Sequence, residues 1–360
     1  MTAQKIILNG KFLMTPPTGV HRVAEELICG LDLLLQENPG LRDRYQVELF
    51  APRNLHHRLD LKAISFVQGG LFNWIPWEQI DLPSREPSAM HINLCNLGPV
   101  VSHNAMTMFH DAQVYISPQS YTKLFRMWYK LIQPLIGKRH KRILTVSDYS
   151  RQQLAGYGVA PAAKISVIHN GVDHILRTAA DAAYASSLGL TRRGFVLALA
   201  NTQAHKNVRV LIEAFKDPRL ANLKLVLFGA AERDALEAMI GAPLPGNVVL
   251  AGKISDAQLR DLIENALCLG FPSTTEGFGL PPLEAMLLGC PAIVAPCGAL
   301  PEVCGNATLY ADPADAEDWV VKIRLLHDND LEWQAWSAKA KAQAGHFTWR
   351  RAAQKLLELF

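Results

Sequence analysis

Two glutamates, Glu276 and Glu284, stand eight positions apart on either side of Gly277-Phe-Gly-Leu-Pro-Pro-Leu283. Pro281 and Pro282 suit a first helical turn, where a missing N–H leaves nothing unsatisfied. Leu283-Glu-Ala-Met-Leu-Leu288 continues the helix and Gly289 stops it. The N–H groups of Gly277, Phe278, Gly279 and Leu280 are then expected at the positive end of a helix dipole, where an anion is favoured. Glu284 is expected in the first turn, where it can accept hydrogen bonds from hydroxyl groups. Glu276, just before the turn, can reach the far side of the same ligand. A phosphate cradle between two hydroxyl-binding carboxylates suits a nucleotide sugar.

Three further segments carry polar side chains where a ligand could meet them. Asn201-Thr-Gln-Ala-His-Lys-Asn207 lies between a strand and an expected helix from Val208 to Phe215. Lys206 at the mouth of that loop can neutralise a departing diphosphate, although an isolated loop lysine is by default only solvated. Pro16-Pro-Thr-Gly-Val-His-Arg22 follows the opening strand and leads into a helix from Val20 to Leu34. Gly19 presents a bare backbone N–H there, because it lacks the Cβ that would block close approach. Two helix N-termini could then meet one pyrophosphate. Phe109-His-Asp-Ala112 follows an apolar strand. His110 and Asp111 read either as ligand-facing residues at a strand end or as a turn and capping pair.

Those loops need sheets to hold them. Short apolar runs alternate with helical patterns along the whole chain. Ile6–Leu8, Gln46–Phe50, Met90–Asn93, Met106–Phe109, Ile143–Val146 and Ile165–Ile168 read as strands of a first half. Phe195–Leu199, Leu223–Phe228, Val248–Ala251, Cys268–Phe271, Ala292–Val294 and Ala307–Tyr310 read as a second series. Continuous apolar strands between helices predict α/β parallel sheets covered on both faces, and two series predict two Rossmann-like domains. A length of 360 residues accommodates both. The boundary is expected near Asn170-Gly171, giving domains 1–172 and 173–347 and a last helix from about Thr348 to Phe360.

Composition removes several function classes. A net charge of +3 argues against a general nucleic-acid binder. The six cysteines form no CxxC pair, so reduced thiols in a cytosolic protein are expected rather than zinc or redox motifs. The first residues show no signal-peptide pattern, and no apolar run is long enough to span a membrane. Asp328-Asn-Asp330 has the spacing of metal-binding carboxylates, but it lies between two helical patterns and reads better as an N-cap or inter-helix turn. No metal or other cofactor is expected. Lys123 to Arg142 holds seven Lys or Arg residues interleaved with Phe125, Trp128 and Tyr129, and no acidic residue occurs between Asp111 and Asp148. It reads as a core-packed helix with a solvated basic face or as a patch resting on anionic lipid headgroups.

The Glu276 to Glu284 segment resembles the paired-glutamate motif of the retaining glycosyltransferases of family 4 (glycosyl transferases group 1). Weaker matches run in the same order over nearly the whole chain. Trp77-Glu-Gln-Ile-Asp-Leu-Pro83 resembles a segment of mannosyl- and rhamnosyltransferase-like members. Thr145–Arg151 resembles the turn that closes the first domain, and Val167–Asp173 the linker. Phe228-Gly229 and Leu250–Asp256 resemble the strand ends that hold the nucleotide.

The resemblance implies a GT-B fold, with two facing Rossmann-like domains, an interdomain cleft and a last helix returning to the N-terminal acceptor-binding domain. It implies His110, Lys206 and Glu276 as catalytic residues. Gly19, His205, Lys253, Gly277, Phe278, Gly279, Leu280 and Glu284 would hold the donor, with backbone near Lys253 on the base edge and Glu284 on the ribose hydroxyls. Asp111 would lie on the acceptor side, fixing the loop or the imidazole of His110. His205 stands where members often have arginine, which puts a second permanent positive charge in question. The implied reaction moves a hexose, mannose favoured, from a nucleotide diphosphate sugar to a glycan or lipid-linked acceptor of a surface polysaccharide, with retention. The Trp-Glu-Gln segment leans towards GDP-mannose. UDP- or dTDP-linked glucose, GlcNAc or rhamnose, a phosphorylase or epimerase of similar fold, and a catalytically weak scaffold are the alternatives. The implied setting is cytoplasmic, at the inner face of the membrane.

Overall fold

The computed structural model describes residues 3–360, so Met1 and Thr2, which open the domain assigned to 1–172, lie outside it. The chain divides into two compact units, one running to Gly171 and regaining Thr348–Phe360, the other being Val172–Phe347. The division therefore falls one residue earlier than position 172.

The first unit is built on a seven-stranded sheet. Its strands are β1 (Gln4–Asn9), β2 (Tyr45–Ala51), β3 (Ser65–Gln68), β4 (Met90–Asn93), β5 (Ala105–Met108), β6 (Arg142–Thr145) and β7 (Ile165–Val167). Their order is β3-β2-β1-β4-β5-β6-β7, every neighbouring pair parallel. All four residues of β4 and of β5 are buried, as strands covered on both faces require. The six expected strands are all present. The seventh, β3, is an edge strand of four partly exposed residues, too short and too polar to register as an apolar run.

The second unit has six strands, β8 (Phe195–Leu199), β9 (Lys224–Phe228), β10 (Val248–Gly252), β11 (Cys268–Phe271), β12 (Ala292–Val294) and β13 (Leu309–Tyr310). Their order is β10-β9-β8-β11-β12-β13, again all parallel. In both sheets the chain starts in the middle, builds to one side and then crosses back to build the other. The reversal lies between β1 and β4 in one sheet and between β8 and β11 in the other. At such a switch point the loops leaving neighbouring strands diverge and open a crevice at the strands' C-terminal ends.

The Trp349–Leu357 helix is capped by Thr348 and packs on the Gly19–Glu37 helix within the first unit. The approach is close: a Cβ on Gly30 would lie 3.0 Å from both the Ala353 Cβ and the Trp349 carbonyl oxygen. The Asp328-Asn-Asp330 segment is a helix junction. The Asn329 side chain accepts hydrogen bonds from the N–H groups of Leu331 and Glu332 at 3.1 and 3.2 Å and starts the Asp330–Ala344 helix.

Candidate active site

Lys206 and Glu276 are brought together at the switch point of the second sheet. Lys206 ends the loop after β8, and Glu276 belongs to the loop after β11. Lys206 Nζ donates to Glu276 Oε1 at 2.7 Å, with only 19% and 13% of the two side chains exposed. Further bonds tie the loops to each other. The Thr274 N–H donates to the carbonyl oxygen of His205 at 2.8 Å. Asn207, held at φ +50°, donates through Nδ2 to the Pro272 carbonyl oxygen just after β11 at 3.4 Å and to that of Pro313, beyond β13, at 2.8 Å. A third loop, after β12, supports Glu276 from behind: the Ala299 N–H donates to its carbonyl oxygen at 3.0 Å. Gly298 sits at φ +62°, and a Cβ there would stand 2.5 Å from the Glu276 nitrogen. Three strand ends thus fix one carboxylate.

The glycine turn opens its helix at Leu280, ahead of both prolines. Gly279 takes φ +109°, the helix spans Leu280–Leu287, and no side chain caps it. Glu284 is therefore the fifth helical residue and lies in the second turn, which corrects its expected place in the first. Gly279 is required on two counts, its positive φ and a Leu300 methyl 2.6 Å from where a Cβ would go. Phe278 is buried and meets the Phe347 ring edge-on at 5.7 Å. Glu284 is buried, and Oε1 lies 3.0 Å from Nε2 of His174 on the short Asp173–Leu176 helix. His174 had no motif to announce it.

His205 is buried, and burial, with the neighbouring Lys206 charge, holds its imidazole below the ordinary histidine range. It therefore supplies no arginine-like permanent charge beside Lys206. Lys253 is exposed just past β10, where Gly252 at φ +68° interrupts the register with β9. The Gly252 carbonyl oxygen accepts from Gly229 N–H at 2.8 Å, joining the two strand ends that carry those residues.

In the first unit Gly19 opens its helix under the Thr18 cap. Nothing lies within 4 Å of a Cβ built there, so the surrounding fold imposes no glycine at this position. His110 is buried beyond β5. Its Nε2 is 2.8 Å from the Leu94 carbonyl oxygen, which can only accept, so Nε2 carries the proton. Burial pushes this imidazole down to about 4, and a charged His21 would push it further the same way. At neutral pH His110 is an uncharged ring whose Nδ1 can accept from a hydroxyl. Asp111 Oδ1 accepts from the Gln113 N–H at 2.9 Å, a bond within the loop.

A buried polar chain crosses the switch point of the first sheet, between β1 and β4, and the sequence reading missed it. Asn9 Nδ2 donates to Glu78 Oε1 at 2.9 Å and to Asn93 Oδ1 at 3.0 Å, and Asn93 Nδ2 donates to Thr107 Oγ1 at 3.0 Å. Thr107 Oγ1 is 2.8 Å from His140 Nδ1, and His140 Nε2 is 3.0 Å from the Pro99 carbonyl oxygen. Burial holds His140 down to about 4. The neutral ring then donates to Pro99 and accepts from Thr107, so the hydrogen bonds run in one direction. Glu78 also pairs with Lys11. It belongs to the π-helical turn Trp77–Asp81, whose Trp77 is buried and donates through Nε1 to the Gly69 carbonyl oxygen at 2.8 Å. All six cysteines are free thiols. Among the described residues no cluster of three His, Cys, Asp or Glu could hold a metal, and no helix is long and apolar enough to cross a membrane.

Residues 184–343 match the family described as Glycosyl transferases group 1, and residues 39–175 match Glycosyltransferase Family 4. O-antigen chain mannosyltransferase B of Escherichia coli is 30% identical over 267 residues, covering 71% of this chain and 70% of that protein. O-antigen chain mannosyltransferase RfbU of Salmonella typhimurium is 26% identical over 233 residues, covering 63% and 62%. Among solved structures, sucrose-phosphate synthase of Thermosynechococcus elongatus aligns over 99% of this chain and 98% of its own, with a TM-score of 0.72 and 16% identity. Anabaena HepE, solved with UDP and glucose, aligns over 99% of each chain with a TM-score of 0.70 and 17% identity. Two parallel-sheet units in this order are the GT-B fold. The chain belongs to glycosyltransferase family 4 and is an enzyme of that family.

Proposed function

We propose that this enzyme transfers a hexose, with mannose favoured, from a nucleotide diphosphate sugar to a glycan or lipid-linked acceptor. The setting is assembly of a surface polysaccharide of the O-antigen kind, on the cytoplasmic side of the membrane. The observation that carries the reading is the Lys206–Glu276 pair at the switch point of the second sheet. A sugar phosphate needs a cation at its leaving oxygen and an acceptor for its hydroxyl groups, and this pair supplies both within one hydrogen bond. The likeness to the E. coli O-antigen mannosyltransferase supports mannose and the polysaccharide setting.

In this reading the second unit holds the donor. Glu284, steadied by His174, binds the ribose hydroxyls. Glu276 and the backbone of Gly277, Phe278, Gly279 and Leu280 hold the sugar and phosphate. Lys253 marks the strand end at which backbone groups meet the base. Lys206 stabilises the negative charge that builds on the diphosphate as the C1–O bond breaks, and His205 adds a neutral hydrogen-bonding ring. In the first unit, the Gly19 helix terminus offers its N–H groups to phosphate, His110 offers Nδ1 to a hydroxyl, and Asp111 stiffens its loop. The acceptor oxygen bonds to C1 on the face the phosphate leaves, and a phosphate oxygen takes the acceptor proton. Configuration is retained, and the positive charge comes from Lys206 rather than a metal.

The test is donor hydrolysis and transfer across GDP-mannose, UDP-glucose, UDP-GlcNAc and dTDP-rhamnose, with the anomeric product followed by NMR. Turnover of GDP-mannose with an α-linked product supports the reading. Turnover of another donor alone removes mannose, and turnover of none by well-folded protein favours the scaffold alternative.

A further inference from the structure

The basic stretch between Asp111 and Asp148 folds as a 17-residue helix, Lys123–Arg139, on the first unit. Its inward face is anchored by buried Ile132, Gln133 and Ile136. Tyr129 also points inward: burial, and then the charges of Glu78 and Asp111, push its phenol up. The outward face is apolar. Leu124, Met127, Trp128, Leu131 and Leu135 are 79%, 67%, 37%, 60% and 39% exposed. At 100° per residue these positions share an arc of about 100° along three turns. A monomeric soluble surface seldom leaves so continuous a stripe to water.

Charge indicates what covers it. Lys123 and Lys130 are exposed along one border of the stripe, Arg139 along the other, and Lys138 at its C-terminal end. No acidic residue occurs from Ala112 to Ser147. A protein partner is ordinarily met with charges of both signs, whereas this face has one. Leucines and a tryptophan below a rim of lysine and arginine match a helix lying in the plane of an anionic bilayer, with its apolar side in the acyl boundary and its cations among the headgroups.

We propose that the Lys123–Arg139 helix docks this enzyme on an anionic lipid surface. Its inward residues Ile132 and Ile136 share a core cluster with Phe109 and Ala112, which flank His110 and Asp111, so docking holds the His110 loop near the plane where a lipid-linked acceptor presents its sugar. The surface itself does not depend on the donor assignment, and its test contains no sugar nucleotide.

The full chain is floated with phosphatidylcholine vesicles and with the same vesicles containing phosphatidylglycerol, at low and high salt. Binding is expected to the anionic vesicles only, and to weaken as salt screens the headgroups. Leu124→Gln with Leu131→Gln is expected to lower vesicle affinity about tenfold or more, since both side chains leave water on docking. Lys123→Gln with Lys130→Gln is expected to remove most of the preference for anionic lipid. All four side chains are exposed, so thermal midpoints should match the parent. Absence of flotation with anionic vesicles at low salt overturns the proposal, as does equal flotation of the parent and the leucine variant. Self-association lost in the leucine variant, without vesicle binding, would assign the face to a second copy of the chain instead.

Discussion

His174 Nε2 stands 3.0 Å from Glu284 Oε1, and both side chains are buried. The pair couples the first turn of chain in the second unit to the helix that follows the glycine turn. His174→Ala removes a partner from a buried carboxylate, a loss of about 1–3 kcal/mol. At roughly 2–4 °C per kcal/mol for a unit of this size, calorimetry should show a midpoint lower by several degrees. Glu284→Gln preserves the shape and is expected to raise the donor KM about tenfold with a smaller change in kcat, the signature of lost uniform binding.

Lys206→Met and Glu276→Gln each remove one member of the pair at the switch point. Each should lower kcat by about 10²–10³, the usual loss when a group that stabilises developing charge is removed. Because the two side chains touch, the double variant should lose much less than the product of the single losses. Steady-state kinetics on all four proteins checks this, and full additivity would contradict a shared role.

His110 and His140 titrate near 4 in the folded protein, against about 6.5 in an unfolded chain. Between those values the unfolded state binds protons that the folded state does not. Stability is therefore full above about pH 6.5 and falls as the pH drops towards 4. Denaturation midpoints measured across that window should decline, and more shallowly in His110→Gln and His140→Gln. Protonation of His110 should likewise leave kcat/KM untouched between about pH 6 and 8.

Gly298→Ala sets a methyl 2.5 Å from the Glu276 nitrogen and 2.7 Å from its carbonyl oxygen, on backbone at φ +62°. Strain of about 1–3 kcal/mol is expected, relieved by moving the Glu276 loop. Turnover should fall at least about tenfold, since ångström-scale misplacement of a positioned group is that consequential. Gly246→Ala is the control, because nothing lies within 4 Å of its Cβ.

Strands such as β8 and β11 announced themselves because a strand buried on both faces is a plain apolar run. β3 did not, since Ser65–Gln68 is half exposed and recognisable only through its pairing with β2. The Glu276–Glu284 segment was readable because its chemistry is local, yet Glu284 was set one turn too early. The helix opens at Leu280, directly after Gly279 and ahead of both prolines, and a positive φ is invisible in a string of letters. His174, Gly298 and the Asn9–Asn93–Thr107–His140 chain were missed for another reason. Each matters through a neighbour distant in sequence, and nothing in an isolated His, Gly or Asn marks which distant residue it will meet.

The Trp349–Leu357 helix completes a unit whose sheet ends at Val167. During synthesis the second unit has every residue it needs by Phe347, while the first still lacks the cover over Gly30. The half made first is thus the half finished last. Its Gly19–Glu37 helix stays bare while the rest of the chain is translated, a period in which a nascent domain is open to misassembly. A ribosome that stalls just before Thr348 would release a chain with its second unit whole and its first unfinished.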